Sequence, residues 1–325
     1  METKYSGKKL SELQNPATIP FYEPYALTEL NDGRIIYYTL KNYQIIVMTV
    51  SLNGHGDDIF IPIESGSVES IIQLKNNLII YGTNKGLIDI ISLKKDSYVS
   101  NQKIINENDN IIKIVELNNC NFVSIMRDNC LKLYEKTKQQ YENTKIINYK
   151  SDDTYFISGI ESSINNYLLV ISFSKFLFVD IYKEKILKEI KVINEKENNI
   201  DEKKVNNKAI SLFTENCLRY NNTIIVAGIF HIFLIDCVKQ IIIKKVKIEN
   251  DNYPCCTLTK FVDDSFITGS GFGEMMQYKL NEKGDDLIFI CLGAIYLDRV
   301  TTSVYSKCGR LIIGEYNGLV ILSFY

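Results

Sequence analysis

The chain has 325 residues and carries 37 Lys and Arg against 39 Asp and Glu, a formal net charge of −2. So even a balance excludes a general electrostatic pull toward nucleic acid or anionic lipid, and the length suits two ordinary domains or one large all-β domain. No run of about twenty apolar residues could span a bilayer, and the opening residues METKYSGKKLSELQNP contain no apolar signal-peptide core. The eight cysteines show no CxxC and no disulfide-type spacing, so reduced thiols and a cytoplasmic or nuclear setting are expected.

In chain order, the first twenty or so residues belong to no complete unit. From Ala26 onward one unit recurs seven times. Its clearest copy runs from Leu74 to Leu93. A turn at Asn76–Asn77 precedes an apolar strand, Leu78–Tyr81. A second turn lies within Gly82–Gly86. The returning strand, Leu87–Leu93, puts Leu87, Asp89 and Ile91 on one face and Ile88 and Ile90 on the other. Equivalent hairpin turns fall at Asn42, Gly86, Asn129, Lys175, His231, Gly273 and Gly318, roughly 44, 43, 46, 56, 42 and 45 residues apart. That is the period of a four-stranded propeller blade. A short segment leads into each hairpin and reads as a first strand: Ala26–Leu30, Ser70–Leu74, Lys113–Leu117, Phe156–Ile160, Ser211–Glu215, Thr257–Phe261 and Thr302–Ser306. A further segment after each of the first six hairpins reads as a fourth strand.

The seventh unit lacks its fourth strand, because Tyr325 follows directly on its third. An open ring would leave long unpaired edges. A segment within Tyr5–Thr18 is therefore expected to pair with the last hairpin, with Pro16 and Pro20 at its end where a missing N–H costs least. The expected fold is all-β: one seven-bladed β-propeller over residues 1–325, with four-stranded antiparallel blades, closed by an N-terminal strand. Residues 1–20 supply the closing strand and lead-in. The longest spacing contains 195–208, EKENNIDEKKVNNK, which is polar, charged and aperiodic, and reads as an inserted loop.

The units resemble degenerate repeats of the WD-repeat β-propeller family. The Trp-Asp that ends the family's third strand is matched, with an aliphatic residue for Trp, by Val179-Asp180 and Ile235-Asp236, and more loosely by Leu133-Tyr134-Glu135. Small residues at the ends of second strands also fit: Gly82, Ala227-Gly228, Gly269 and Gly314. The family's Gly-His pair is absent from the expected places, and Gly54-His55 follows a third strand instead. The resemblance spans the whole chain and implies a bladed fold.

Several local constellations bear on chemistry. Gly54-His55-Gly56-Asp57-Asp58 sets a His beside two carboxylates, as a metal or acid–base site would, but reads better as a Gly-rich turn with capping acids. Cys255-Cys256 reads as entry into a first strand rather than a redox pair. Gly271-Phe272-Gly273 lies between strands, whereas a phosphate loop opens a helix. The lysine pairs, such as Lys203-Lys204 and Lys244-Lys245, are scattered and make no basic stripe. No Arg-Arg pair is present. No catalytic residue, cofactor or metal site is expected.

Aromatic residues recur at the turns between second and third strands: Tyr43, Phe173, Phe230, Phe272 and Tyr316, with Lys175 and His231 beside them. Such turns open on one rim of a propeller, and aromatics are enriched at binding hot spots. The alternative is that the rings turn inward and plug the channel. The expected function is a non-enzymatic scaffold or adaptor: a monomeric propeller within a complex, binding a protein, peptide or loop on that rim, without nucleic acid or membrane insertion. The alternatives are a structural subunit of a larger assembly and a propeller hydrolase. The hydrolase would need acids converging on the channel, and Asp128, Asp153 and Asp298 lie near the relevant rim.

Overall fold

The computed structural model describes residues 14–20, 24–51, 54–55, 58–106, 109–138, 140–150, 155–162, 167–172, 174–192, 217–228, 231–248, 255–270, 273–293 and 300–323. Seven four-stranded antiparallel sheets form the seven blades. The first strands are Pro24–Glu29, Val68–Gln73, Ile111–Glu116, Phe156–Glu161, Cys217–Tyr220, Cys255–Lys260 and Val300–Tyr305. Each packs beside the first strand of the next blade, and the seventh packs beside that of blade 1, so the ring closes around a central channel. Turns between second and third strands, and the links from a fourth strand to the next blade, share one face, here the upper face. Turns between first and second and between third and fourth strands share the lower face.

The middle strands are nearly continuous apolar runs because both their faces are covered. Ile35–Thr39, Ile79–Thr83 and Phe122–Met126 are buried at every residue. Leu87 and Ile91 join a cluster with Tyr38, Ile45 and Val47 of blade 1. Ile88 and Ile90 join Ile111, Ile114 and Phe122 of blade 3. The two faces expected for this strand therefore pack against the two neighbouring blades. The fourth strands face solvent on one side, and Tyr98–Ile105 is largely exposed.

Blade 7 is completed by Gln14–Pro20, which pairs antiparallel with Gly318–Ser323, Ala17 opposite Ile321 and Pro20 opposite Gly318. The closing strand therefore lies at the end of the expected segment and reaches two residues beyond Thr18. Pro20 terminates it, and Pro16 falls where the register shifts between Gln14 and Ala17, so neither proline interrupts regular pairing.

Two expectations are corrected. The first strand of blade 5 is Cys217–Tyr220 rather than Ser211–Glu215. Asn221 adopts φ 50° and closes a tight hairpin that pairs Tyr220 with Thr223, so the preceding strand must end at Tyr220. Residues 211–215 and the expected loop 195–208 lie outside the described residues. Gly54-His55 is not a plain turn. It forms a two-residue ladder with Val50–Ser51, an excursion between the third and fourth strands of blade 1.

Candidate functional site

In six blades the first strand carries one extra residue against the second near its upper end. In blade 2, Val68 pairs with Thr83 and Ser70 with Gly82, which leaves Glu69 in a bulge. The same shift leaves Ile112 in blade 3, Ile157 in blade 4, Cys256 in blade 6 and Thr301 in blade 7. In blade 1 the extra residue falls within Ala26–Leu27. The first strand of blade 5 is described only from Cys217. A bulge re-aims a side chain: Ile112 packs against Phe156 and Leu168 of blade 4, and the Thr301 hydroxyl donates to Pro24 O of blade 1 at 2.7 Å. Glu69 is the one ionisable carboxyl among them.

The strand entry before Glu69 is clamped. The Ser67 N–H donates to Asn84 Oδ1 at 3.0 Å, and Asn84 Nδ2 donates to Ser67 Oγ at 3.2 Å. Glu69 itself is half-buried. Burial pushes its carboxyl up to about 7, and the nearby Arg127 guanidinium pulls it partly back. Among the described residues no hydrogen bond or ion pair reaches it. A carboxyl taken out of water without a partner is costly.

Arg127 sits in the turn between the second and third strands of blade 3. Its backbone N–H donates to Asn110 O at 2.9 Å. Its guanidinium carbon lies 5.6 Å from the centre of the Tyr155 ring, at the lead-in to blade 4. Asn110 Oδ1 is buried with no hydrogen-bond partner. The link carrying Asn110 is held by Lys132, whose Nζ pairs with Asp109 and donates to Asn106 Oδ1 at 3.0 Å. The Tyr134 hydroxyl donates to the same oxygen at 3.1 Å. Tyr38, from blade 1, lies close by. Burial, then the neighbouring Tyr43 and Glu69, push its hydroxyl up to about 12. Arg127, Asn110 and Tyr155 thus meet where blades 3 and 4 adjoin on the upper face, and Glu69 of blade 2 feels the Arg127 charge. Two opposite charges stand near each other there without direct bonding among the described residues.

The lower face offers a contrast. A cleft of about 460 Å³ lies between blades 1 and 2, lined by Asn31, Asp32, Arg34, Asn77 and Ser92 among others. Its polar groups already satisfy one another. Asn31 Nδ2 donates to Asn77 Oδ1 at 2.9 Å, the Asn31 N–H donates to Gln73 Oε1 at 2.6 Å, and Arg34 pairs with Asp32 at 2.7 Å.

Of the residues expected at the rim, Tyr43 is 57% exposed and Tyr316 50% exposed, each in a turn of the upper face. Lys175 is engaged within its own blade region: Nζ donates to the Tyr149 hydroxyl at 3.1 Å and pairs with Glu189 at 3.6 Å. His231 opens the third strand of blade 5, half-buried, its ring 6.0 Å from that of Phe233. Phe173, Phe230 and Phe272 lie outside the described residues, as do Asp153 and Asp298. Asp128 is exposed beside Arg127 in the turn. Glu69, Arg127, Asn110 and Tyr155 were not anticipated. Aligning the six bulge positions would have singled out Glu69. Among the described residues no cluster of three or more His, Cys, Asp or Glu could hold a metal ion, and no helix is long and apolar enough to cross a membrane.

No protein-family model matches the sequence, and no curated protein matches it. Solved structures do. A streptogramin B lyase structure aligns with a TM-score of 0.73 at 13% identity, covering 98% of this chain and 100% of that one. A chain of the mitotic checkpoint complex aligns with a TM-score of 0.72 at 10% identity, covering 100% of this chain and 98% of that one. The WD40 propeller domain of Doa1 aligns with a TM-score of 0.71 at 11% identity, covering 97% of each. At these identities the likeness shows the fold. It also corrects the expectation of a non-enzymatic protein. That expectation rested on the lack of a recognisable catalytic motif, and a streptogramin B lyase shares this fold. The chain is a seven-bladed propeller of an architecture that serves both catalysis and protein interaction.

Proposed function

We propose that the protein binds a segment of a protein partner at the upper channel mouth over blades 1 to 4, as one subunit of a larger assembly. Glu69 and Arg127 serve as its polar anchors and Tyr43 as an exposed rim contact. The observation that carries this reading is Glu69: a half-buried carboxyl in a first-strand bulge near the upper face, under the charge of Arg127 and with no hydrogen-bond or ion-pair partner among the described residues. A carboxyl with a strongly raised pKa beside a cation is a candidate for a functional role. The likeness to WD-repeat propellers supports it too. Asp180 and Asp236, at the positions matching that family's aspartate, cap third-to-fourth-strand turns, Asp236 Oδ1 accepting from the Val238 and Lys239 N–H groups at 2.8 and 2.9 Å. Photo-crosslinking from position 43 in native cells, read by mass spectrometry, tests the reading. A discrete partner crosslink should appear and fade in a Glu69→Gln, Arg127→Met variant. A crosslink indifferent to both changes refutes this placement.

A second reading is acid–base catalysis in the same mouth. A carboxyl that titrates near 7 is poised to give or take a proton at neutral pH. Incubation with a streptogramin B, followed by mass spectrometry, asks whether the chain shares the activity named for its structural neighbour. Turnover lost in Glu69→Gln would favour catalysis over partner binding.

A further inference from the structure

We propose that the lower-face cleft between blades 1 and 2 takes a short, extended, uncharged segment of a partner peptide, its main-chain amide on Asn31 and Asn77 and an aliphatic side chain on Leu78 and Leu93. The cleft lies on the opposite face from Glu69 and Arg127, so binding here stands apart from the function proposed above. Its volume of about 460 Å³ is within the usual range for ligand sites. Asn31 comes from the turn between the first and second strands of blade 1, and Asn77 from the matching turn of blade 2. Asn31 Nδ2 donates to Asn77 Oδ1 at 2.9 Å. That bond fixes both carboxamides across the seam between the blades and uses one polar atom of each. Among the described residues nothing donates to Asn31 Oδ1 and nothing accepts from Asn77 Nδ2. An acceptor and a donor thus stand side by side, held in place before any ligand arrives.

The rest of the lining narrows the ligand class. Arg34 is paired with Asp32 at 2.7 Å, and its Nη1 reaches across to Lys94 O of blade 2 at 3.4 Å. An anionic ligand would meet Asp32 beside that cation, and a cationic one would meet Arg34 beside that carboxylate, so the cleft suits a neutral ligand. Among the described residues no aromatic side chain lines it, so a sugar ring or nucleobase has no face to stack on. Half-buried Leu78 and Leu93 supply an apolar wall instead. A main-chain amide offers its N–H to Asn31 Oδ1 and its carbonyl oxygen to Asn77 Nδ2, while an aliphatic side chain beside it covers the two leucines. Extended peptides are recognised in this way, main-chain bonds giving affinity and a side-chain pocket giving specificity. A small neutral amide could make the same two bonds, but Asn31 and Asn77 are both exposed, and the open cleft leaves room for a chain to continue.

The test uses the full chain and two pools of short random peptides built from Gly, Ala, Ser, Val and Leu, capped at both ends so that none is charged. One pool has ordinary amide bonds, and the other is N-methylated along the main chain, which removes its N–H donors. Affinity selection read by mass spectrometry should enrich the ordinary pool about tenfold or more over the methylated one, with Val and Leu over-represented. The enrichment should vanish in Asn31→Ala and in Asn77→Gly, glycine being the replacement that keeps the φ of 66° at Asn77. It should persist in Val238→Ser, which removes an exposed apolar residue from a lower-face turn of blade 5. Circular dichroism checks that each variant folds, and should one asparagine variant not fold, the other decides. Equal retention of both pools, retention of neither, enrichment that survives the asparagine changes, or enrichment lost equally in Val238→Ser overturns the proposal. Displacement by N-acetyl-leucine amide as effective, mole for mole, as that by a selected peptide overturns it in favour of a small-molecule site.

Discussion

Glu69→Gln is expected to stabilise the protein, and to do so more as pH rises. The carboxyl titrates near 4.5 in an unfolded chain and near 7 in the fold. Between those values the folded state holds more protons than the unfolded state, so stability falls as pH climbs through that window. Above it, the full cost of an ionised, desolvated carboxylate is borne by the folded state. At about 1.4 kcal/mol for each tenfold in proton affinity, the penalty is about 3 kcal/mol at pH 8 and about 1 kcal/mol at pH 5. Glutamine keeps the shape and never ionises, so it removes the penalty and introduces no cavity. Urea denaturation of wild type and variant at pH 5 and pH 8 measures the difference. A gain at pH 8 that shrinks at pH 5 supports the argument, and marks Glu69 as a residue kept against the interest of stability. A variant destabilised at both pH values, or stabilised equally at both, refutes it, because Glu69 would then have a bonding partner or stand in water.

Carbon-13 NMR of the Glu69 carboxyl should give a midpoint near 7, and Arg127→Met should move it higher because a neighbouring cation has been removed. Gly86 and Gly33 both have positive φ, at +79° and +85°, yet they should respond differently to alanine. A Cβ at Gly86 would lie 1.8 Å from Asn106 O, whereas one at Gly33 meets nothing within 4 Å. Thermal melts should show Gly33→Ala costing about 1 kcal/mol and Gly86→Ala about 3 kcal/mol or more. Similar costs would mean the link at Asn106 gives way freely. Deleting residues 1–20 should lower the melting temperature of the whole domain, because Gly318–Ser323 loses its partner. A deletion that melts with the parent would make the closing strand dispensable.

The blades were legible because each hairpin joins two strands buried on both faces through a turn rich in Asn and Gly. Such turns survive as sequence marks, with Asn129 at φ 65° and Gly86 at φ 79°. The closing strand followed from counting strands, but its register did not. Gln14–Pro20 has little apolar alternation, and Pro16 hides the shift in pairing. The first strand of blade 5 is hard to read because its described residues, Cys217–Tyr220, show no apolar alternation, with Leu218 beside Arg219. The candidate site was the least legible part. A bulge inserts one residue into a strand, so a period-two reading starts the strand at Ser70 and leaves Glu69 in the link. Arg127 is one charged turn residue among many until the ring brings blade 3 beside blade 2. Tyr43 and Tyr316 were visible because large aromatics at turns stand out, whatever surrounds them.

The pairing of Gln14–Pro20 with Gly318–Ser323 has a consequence for synthesis on the ribosome. Of this domain's described strands, the outer strand of the last blade is made first. At roughly 5–20 residues per second it waits about 15 to 60 seconds for its partner to be made. For that time six blades can form while the seventh cannot, and two unpaired edges are held apart on one nascent chain. The last step of folding is therefore an encounter between the two ends of the domain, timed by translation rather than by the folding of any single blade. Slowing elongation should lengthen the period in which a chaperone can bind those edges, and pairing of Gly318–Ser323 with Gln14–Pro20 should end it.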